Sequence, residues 1–162
     1  MRLLGQIKTG IATLALVMGL AGTAVAAEAG DFLWPGRGGN DGDYENGINA
    51  ARAGDWHMSV HYLRRSVGRD PQDADALTIL ALSHRKLGHL DRAMRFYRAA
   101  LVIDPGHRLA HFQIGEAYLA ARDLSKARKH EESLADLCPS GCPELKALKR
   151  AIAVFEGKGP DS

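Results

Sequence analysis

The sequence predicts an all-α protein in which three helix–turn–helix repeats stack and a seventh helix closes the stack. Three observations carry this prediction. Pro71, Pro105 and Pro139 follow one another at intervals of 34 residues, which indicates a structural repeat. Apolar residues within each interval recur at helical spacing. Alanine and leucine are abundant while β-branched residues are sparse after the N-terminus, which favours helix over sheet.

Residues 1–27 are predicted to be a secretory signal peptide. Arg2 and Lys8 give a positive start, residues 11–20 form an uncharged apolar run, and residues 24–26 supply the small-x-small pattern of a cleavage site. Cleavage after Ala26 or Ala27 would deliver the mature chain to the periplasm. The alternative is an uncleaved N-terminal anchor, although the apolar run is short for a membrane span.

Cleavage would also change the charge of the chain. The whole chain carries a formal charge of +2, and both basic residues of the signal would be lost with it, which leaves a mature charge of 0. A neutral protein has no general electrostatic attraction for nucleic acid. We therefore expect a protein or peptide partner, no nucleic acid, and no stable membrane span after processing.

Residues 28–39 are rich in glycine and are predicted to be a linker. Phe32, Leu33 and Trp34 lie within it, and we expect them to fold back on the first repeat. The alternative is an arm that binds a partner. Residues 158–162 are expected to be a polar tail.

The three predicted repeats span residues 40–73, 74–107 and 108–141. When these blocks are superimposed, small residues coincide at one position in Gly47, Ala81 and Gly115, and at a second in Ser59, Ala93 and Ala127. Small side chains at fixed points let paired antiparallel helices approach closely. Apolar spacing places six helices near residues 41–53, 56–69, 74–87, 90–103, 108–121 and 124–137.

Residues 142–157 are predicted to form a capping helix. Pro143 suits the first turn of a helix and Gly157 suits its end. Leu145, Leu148, Ile152 and Phe155 recur at spacings of three, four and three residues, which gives one apolar stripe. Such a stripe would cover the open face of the last repeat.

The second block contains Leu77, Leu80, Ala81, Gly88, Ala93, Tyr97, Ala100 and Pro105, and the third contains Ile114, Gly115, Tyr118, Ala127 and Pro139. With these residues the two blocks resemble tetratricopeptide repeats. The end of the chain, residues 137–145, resembles that of small exported repeat proteins of Gram-negative bacteria. The first block departs from the pattern with Asp43 and Asn46 at positions that are usually apolar. The resemblance implies a right-handed superhelix that binds proteins and is not an enzyme.

The same resemblance implies a concave groove lined by the first helix of each pair. A ligand with apolar anchors and an acidic centre would suit it, although several positions could instead pack between helices. Family members that hold a C-terminal carboxylate use Lys and Asn where this chain has Tyr44 and Ile48, so that clamp is not predicted. The predicted groove positions are Tyr44, Ile48, Arg52, Thr78, Leu82, Arg85, Lys86, Phe112, Glu116 and Leu119. The expected role is an adaptor or scaffold in the cell envelope.

Cys138 and Cys142 are the only cysteines, and their close spacing in an exported chain predicts a disulfide. Two alternatives remain open. The pair could be a thiol-redox site, with Cys142 activated at a helix N-terminus. It could also hold a soft metal such as Cu(I), with His130 or a partner protein supplying a third ligand. Either would make the protein a metal-handling or redox accessory.

The sequence contains no catalytic motif. It lacks a Ser-His-Asp elbow, a phosphate-binding glycine loop and a His-Glu-x-x-His helix. Two histidine pairs have metal-binding spacing, His57 with His61 and His107 with His111, but such pairs are more often surface residues. We therefore expect neither catalysis nor a cofactor.

Overall fold

The computed structural model describes residues 42–157, in which all regular structure is α-helical. This confirms the predicted all-α fold class. Residues 1–41 and 158–162, which include the predicted signal peptide, linker and tail, lie outside the described residues. The helices are α1 (Gly42–Arg52), α2 (Trp56–Arg69), α3 (Ala74–Lys86), α4 (Leu90–Ile103), α5 (Arg108–Ala120), α6 (Leu124–Leu137) and α7 (Pro143–Phe155).

Aspartates begin three of the helices. The side chains of Asp55, Asp73 and Asp123 accept hydrogen bonds from backbone N–H groups in the first turns of α2, α3 and α6. Each satisfies a donor that has no partner within the helix. Capping therefore fixes where these helices begin.

Left-handed residues make the turns within the three helical pairs. Gly54 and Gly88 have φ angles of 77° and 80°, where glycine is free of steric cost. Arg122 occupies the corresponding turn of the third pair with φ 57°. A side chain in this conformation costs roughly 1 kcal/mol, yet the third pair still forms.

The helices pack as successive antiparallel pairs, α1 with α2, α3 with α4, and α5 with α6. α2 contacts α3 and α4 contacts α5, so the pairs stack in chain order, and α7 covers α5 and α6. Residues of the repeat signature meet in this stack, because Ala81, Ala93, Tyr97 and Ile114 form one buried cluster. No helix of residues 42–157 is long and apolar enough to cross a membrane.

Asp43, a polar residue of the first repeat at a position that is usually apolar, forms ion pairs between two helices. The carboxylate of Asp43 on α1 lies 3.2 Å from Arg65 Nε and 2.5 Å from Arg69 Nη1, both on α2. This position therefore joins the first two helices through ion pairs instead of apolar contact.

Two glycines mark the closest helix contacts. A Cβ at Gly47 would lie 2.6 Å from Leu63 Cγ, which agrees with the expected close approach of α1 and α2. A Cβ at Gly115 would lie 2.7 Å from both Cδ atoms of Leu148, which belongs to α7. The glycine of the third repeat therefore makes its closest approach to the closing helix α7, whereas the repeat pattern predicts a close approach to the second helix of its own pair.

Candidate functional site

A groove of about 560 Å³ runs between α3, α5 and α7. We call it the α3–α5–α7 groove. Four of the ten predicted groove residues line it: Arg85 of α3, and Phe112, Glu116 and Leu119 of α5. Phe112, Glu116 and Leu119 follow one another at spacings of four and three residues, so one face of α5 forms the floor.

The other wall of the groove is α7. It contributes the small residues Ala147 and Ala151 together with Arg150, Val154 and Phe155. Val154 is 61% exposed and Phe155 is 38% exposed, although both are large and apolar. Phe155 was expected to pack within the stripe of Leu145, Leu148 and Ile152, which are buried. It lies instead at the open edge of the groove.

Arg85 is the ionic centre of the groove, and its charge is already compensated. Its Nη2 atom donates to Glu116 Oε2 at 3.0 Å and to Gln113 Oε1 at 2.7 Å. Burial raises the pKa of neighbouring Tyr97 to about 12, against the opposing effect of Arg85. Tyr97 therefore stays neutral and adds no negative charge beside Arg85. The Arg85–Glu116 pair carries little net charge because the two side chains have opposite charges.

The remaining predicted groove residues do not line the α3–α5–α7 groove. Tyr44, Ile48, Thr78 and Leu82 are buried among the helices. Arg52 and Lys86 are exposed at the ends of α1 and α3; Arg52 donates to Asn49 Oδ1, and Lys86 Nζ lies 5.8 Å from the ring centre of Trp56. The structure thus brings together four of the ten predicted residues, Arg85, Phe112, Glu116 and Leu119.

Arg150 also lines the groove, although no repeat pattern in the sequence indicates it. Its side chain is exposed and makes no ion pair with any residue in the described part of the chain. It lies three residues after Ala147 and four before Val154, so the three share one helical face. That spacing is the one feature of the sequence that could place Arg150 beside these residues. It indicates a groove residue only once α7 is known to border a groove.

Cys138 and Cys142 flank the turn between α6 and α7. Their sulfur atoms are 2.03 Å apart and their Cα atoms 5.9 Å apart. Cys138 follows the last residue of α6, and Cys142 precedes the first residue of α7. The pair is therefore placed to fix the angle at which α7 leaves the last repeat.

His130 faces another histidine. His111 Nε2 donates to the Pro105 carbonyl at 3.0 Å, which leaves its Nδ1 to accept from His130 Nδ1 at 3.0 Å. Burial, with a contribution from His111, lowers the pKa of His130 to about 4. The ring is thus neutral at physiological pH and serves the contact between α5 and α6.

The two histidine pairs with metal-binding spacing in the sequence have different surroundings in the structure. His107 Nε2 donates to Asp75 Oδ1 at 3.0 Å, while its Nδ1 accepts from the backbone of Ala110. His57 and His61 lie on the exposed face of α2. Within residues 42–157, no three His, Cys, Asp or Glu side chains are grouped as a metal site would require.

Comparisons with known proteins agree with this architecture. The family model described as Tetratricopeptide repeat matches residues 44–108. Among similar solved structures is the crystal structure of PcrH in complex with the chaperone binding region of PopD. It shares 26% sequence identity and a TM-score of 0.60 over 71% of this chain and 86% of that chain. No curated protein sequence matches the chain.

Proposed function

Because the chain is a tetratricopeptide-repeat protein, we propose that it binds a segment of a partner protein in the α3–α5–α7 groove. The role is that of a non-catalytic adaptor or scaffold in the cell envelope. The four predicted groove residues that line it, Arg85, Phe112, Glu116 and Leu119, would contact the partner.

The observation that carries the proposal is the exposed apolar surface of this groove. Leu119 lies in the floor, and Val154 and Phe155 form an open wall beside it. Contiguous exposed apolar surface on a soluble domain commonly marks an interaction site. Burying it under a partner would remove it from water at a gain of about 25 cal/mol for each Å².

The similarity to PcrH supports a peptide or protein as the occupant. That protein was crystallised with the chaperone binding region of PopD. Stacked helical repeats present extended concave surfaces that suit such segments. The polar groups of the present groove also suit binding better than catalysis, since Arg85 and Glu116 neutralise each other.

We further propose that the protein works in the periplasm after cleavage near Ala26 or Ala27, and that Cys138 and Cys142 form a disulfide there. The bonding distance between the two sulfurs supports the disulfide. Mass spectrometry of the exported protein checks both statements. It should show an N-terminus at Ala27 or Glu28 and no alkylated cysteine before reduction.

Substitutions at matched exposed valines test the groove. Peptides are first selected from a random 12-residue phage library on the full chain, and their affinities are measured by fluorescence anisotropy. Val154→Asp should weaken binding at least tenfold, because it places a charge within the apolar wall. Val102→Asp is the control, since Val102 is 83% exposed on α4 and lies outside the groove lining. Equal affinities for the two variants would refute the groove as the binding site.

A further inference from the structure

We infer that the partner segment is acidic as well as apolar, with a carboxylate that pairs with Arg150 of α7. This inference rests on the proposed function of the α3–α5–α7 groove. It makes α7 a determinant of specificity in addition to a cap on the last repeat.

The charges lining the groove favour an acidic ligand. Arg85 is held 3.0 Å from Glu116, so this cation and this anion cancel. Arg150 has no such partner among residues 42–157. The two nearest acidic residues along the chain pair with other cations: Glu144 of α7 lies 4.0 Å from Arg108 Nε of α5, and Glu156, which follows α7, pairs with Arg128 of α6. One uncompensated positive charge therefore borders an otherwise apolar or neutral surface.

The position of Arg150 sets the arrangement of the ligand. Val154 is one helical turn farther along α7, on the same face, so the guanidinium lies beside the exposed apolar wall. A partner could place a large apolar side chain against Leu119 and Val154 while a neighbouring carboxylate reaches Arg150. A guanidinium can hold a carboxylate through two parallel hydrogen bonds, whereas a neutral amide gains no such pair.

The same arrangement disfavours basic segments. A lysine or arginine of the partner near Arg150 would meet a like charge. Electrostatic complementarity of this kind selects partners and accelerates association more than it raises affinity. The expected discrimination between an acidic peptide and its amide copy is therefore moderate, about three- to tenfold.

A charge-reversal selection tests the inference. The same random library is selected separately on the full chain, on Arg150→Glu and on Lys149→Glu. Lys149 is adjacent, exposed and outside the groove lining, so it is the matched control. Peptides from the full chain and the control should combine large apolar residues with Asp or Glu, and those from Arg150→Glu should carry Lys or Arg instead.

One enriched peptide and its carboxylate-to-amide copy then complete a double-mutant cycle with Arg150→Gln. The amide copy should bind the full chain about three- to tenfold more weakly. The two peptides should bind the variant equally. This coupling would not arise from a purely structural role of Arg150.

Each contrary outcome has a distinct meaning. The inference would be overturned if the selected peptides need Val154 but contain no excess of Asp or Glu. It would also be overturned if peptides selected on Arg150→Glu are still acidic. Either result would leave the groove as the proposed binding site. Selection of peptides indifferent to Val154→Asp would overturn the proposed function itself. If peptides are selected only after Phe32, Leu33 and Trp34 are changed to serine, the occupant of the groove is the chain's own N-terminal segment and the inference is overturned. If the protein forms a dimer that Val154→Asp dissociates, the occupant of the groove is a second copy of the chain and the inference is likewise overturned.

Discussion

Replacing Gly115 with alanine should loosen the attachment of α7. The new Cβ would lie 2.7 Å from both Cδ atoms of Leu148, about 1 Å closer than ordinary contact. Leu148 is fully buried, so its side chain cannot rotate away into solvent. Either α7 shifts from α5 or Leu148 leaves its preferred rotamer.

Opposing terms set the size of the effect. Overpacking of a buried contact typically costs about 1–3 kcal/mol. Alanine within a helix gains up to about 1 kcal/mol over glycine. The free energy of unfolding should therefore fall by up to about 2 kcal/mol, which corresponds to a decrease in Tm of up to about 8 °C for a domain of this size.

Urea unfolding monitored by circular dichroism measures this change, with Gly68→Ala as the control. Gly68 lies on α2 with nothing within 4 Å of an added Cβ, so its replacement should be neutral or stabilising. Leu148→Ala should also abolish most of the penalty of Gly115→Ala, because the alanine then occupies the vacated space. Equal effects at Gly68 and Gly115, or full additivity with Leu148→Ala, would refute the proposed contact.

Three further predictions concern the rest of the chain. Changing Cys138 and Cys142 to serine should lower the free energy of unfolding by at most about 2 kcal/mol, since the loop closed is short; Tm with and without reductant measures it. Acidification from pH 6.5 to about 4 should destabilise the protein by about 1–2 kcal/mol, because the unfolded chain protonates His130 first. That loss should shrink in His130→Gln but persist in His57→Gln, as urea titrations at each pH would show. Arg122→Gly should raise Tm by about 4 °C, by removing a side chain from a left-handed turn.

The all-α stack could be predicted because its signals are local. The proline period, the helical spacing of apolar residues and the glycines at Gly54 and Gly88 each constrain the backbone within a single repeat. The contact of Gly115 with Leu148 of α7 departed from the pattern. It depends on how the closing helix approaches the stack, which no spacing within a repeat specifies.

The site was less accessible from the sequence for the same reason. The family's inward positions include Phe112 and Leu119, which do line the groove, but also Tyr44 and Thr78, which are buried among helices. The pattern gives the direction of a side chain from its helix, not the packing that surrounds it. Arg150 belongs to a helix outside the repeats, so the repeat pattern could not assign it to the groove.

The central claim is that partner segments bind the α3–α5–α7 groove, and methyl chemical-shift mapping tests it most directly. The full chain, labelled at its Ala, Leu and Val methyl groups, is titrated with one selected peptide. If the peptide binds in this groove, the chemical-shift changes should concentrate at the methyl groups of Leu119, Ala151 and Val154. Shifts concentrated at Val102, with those three methyl groups unchanged, would contradict it.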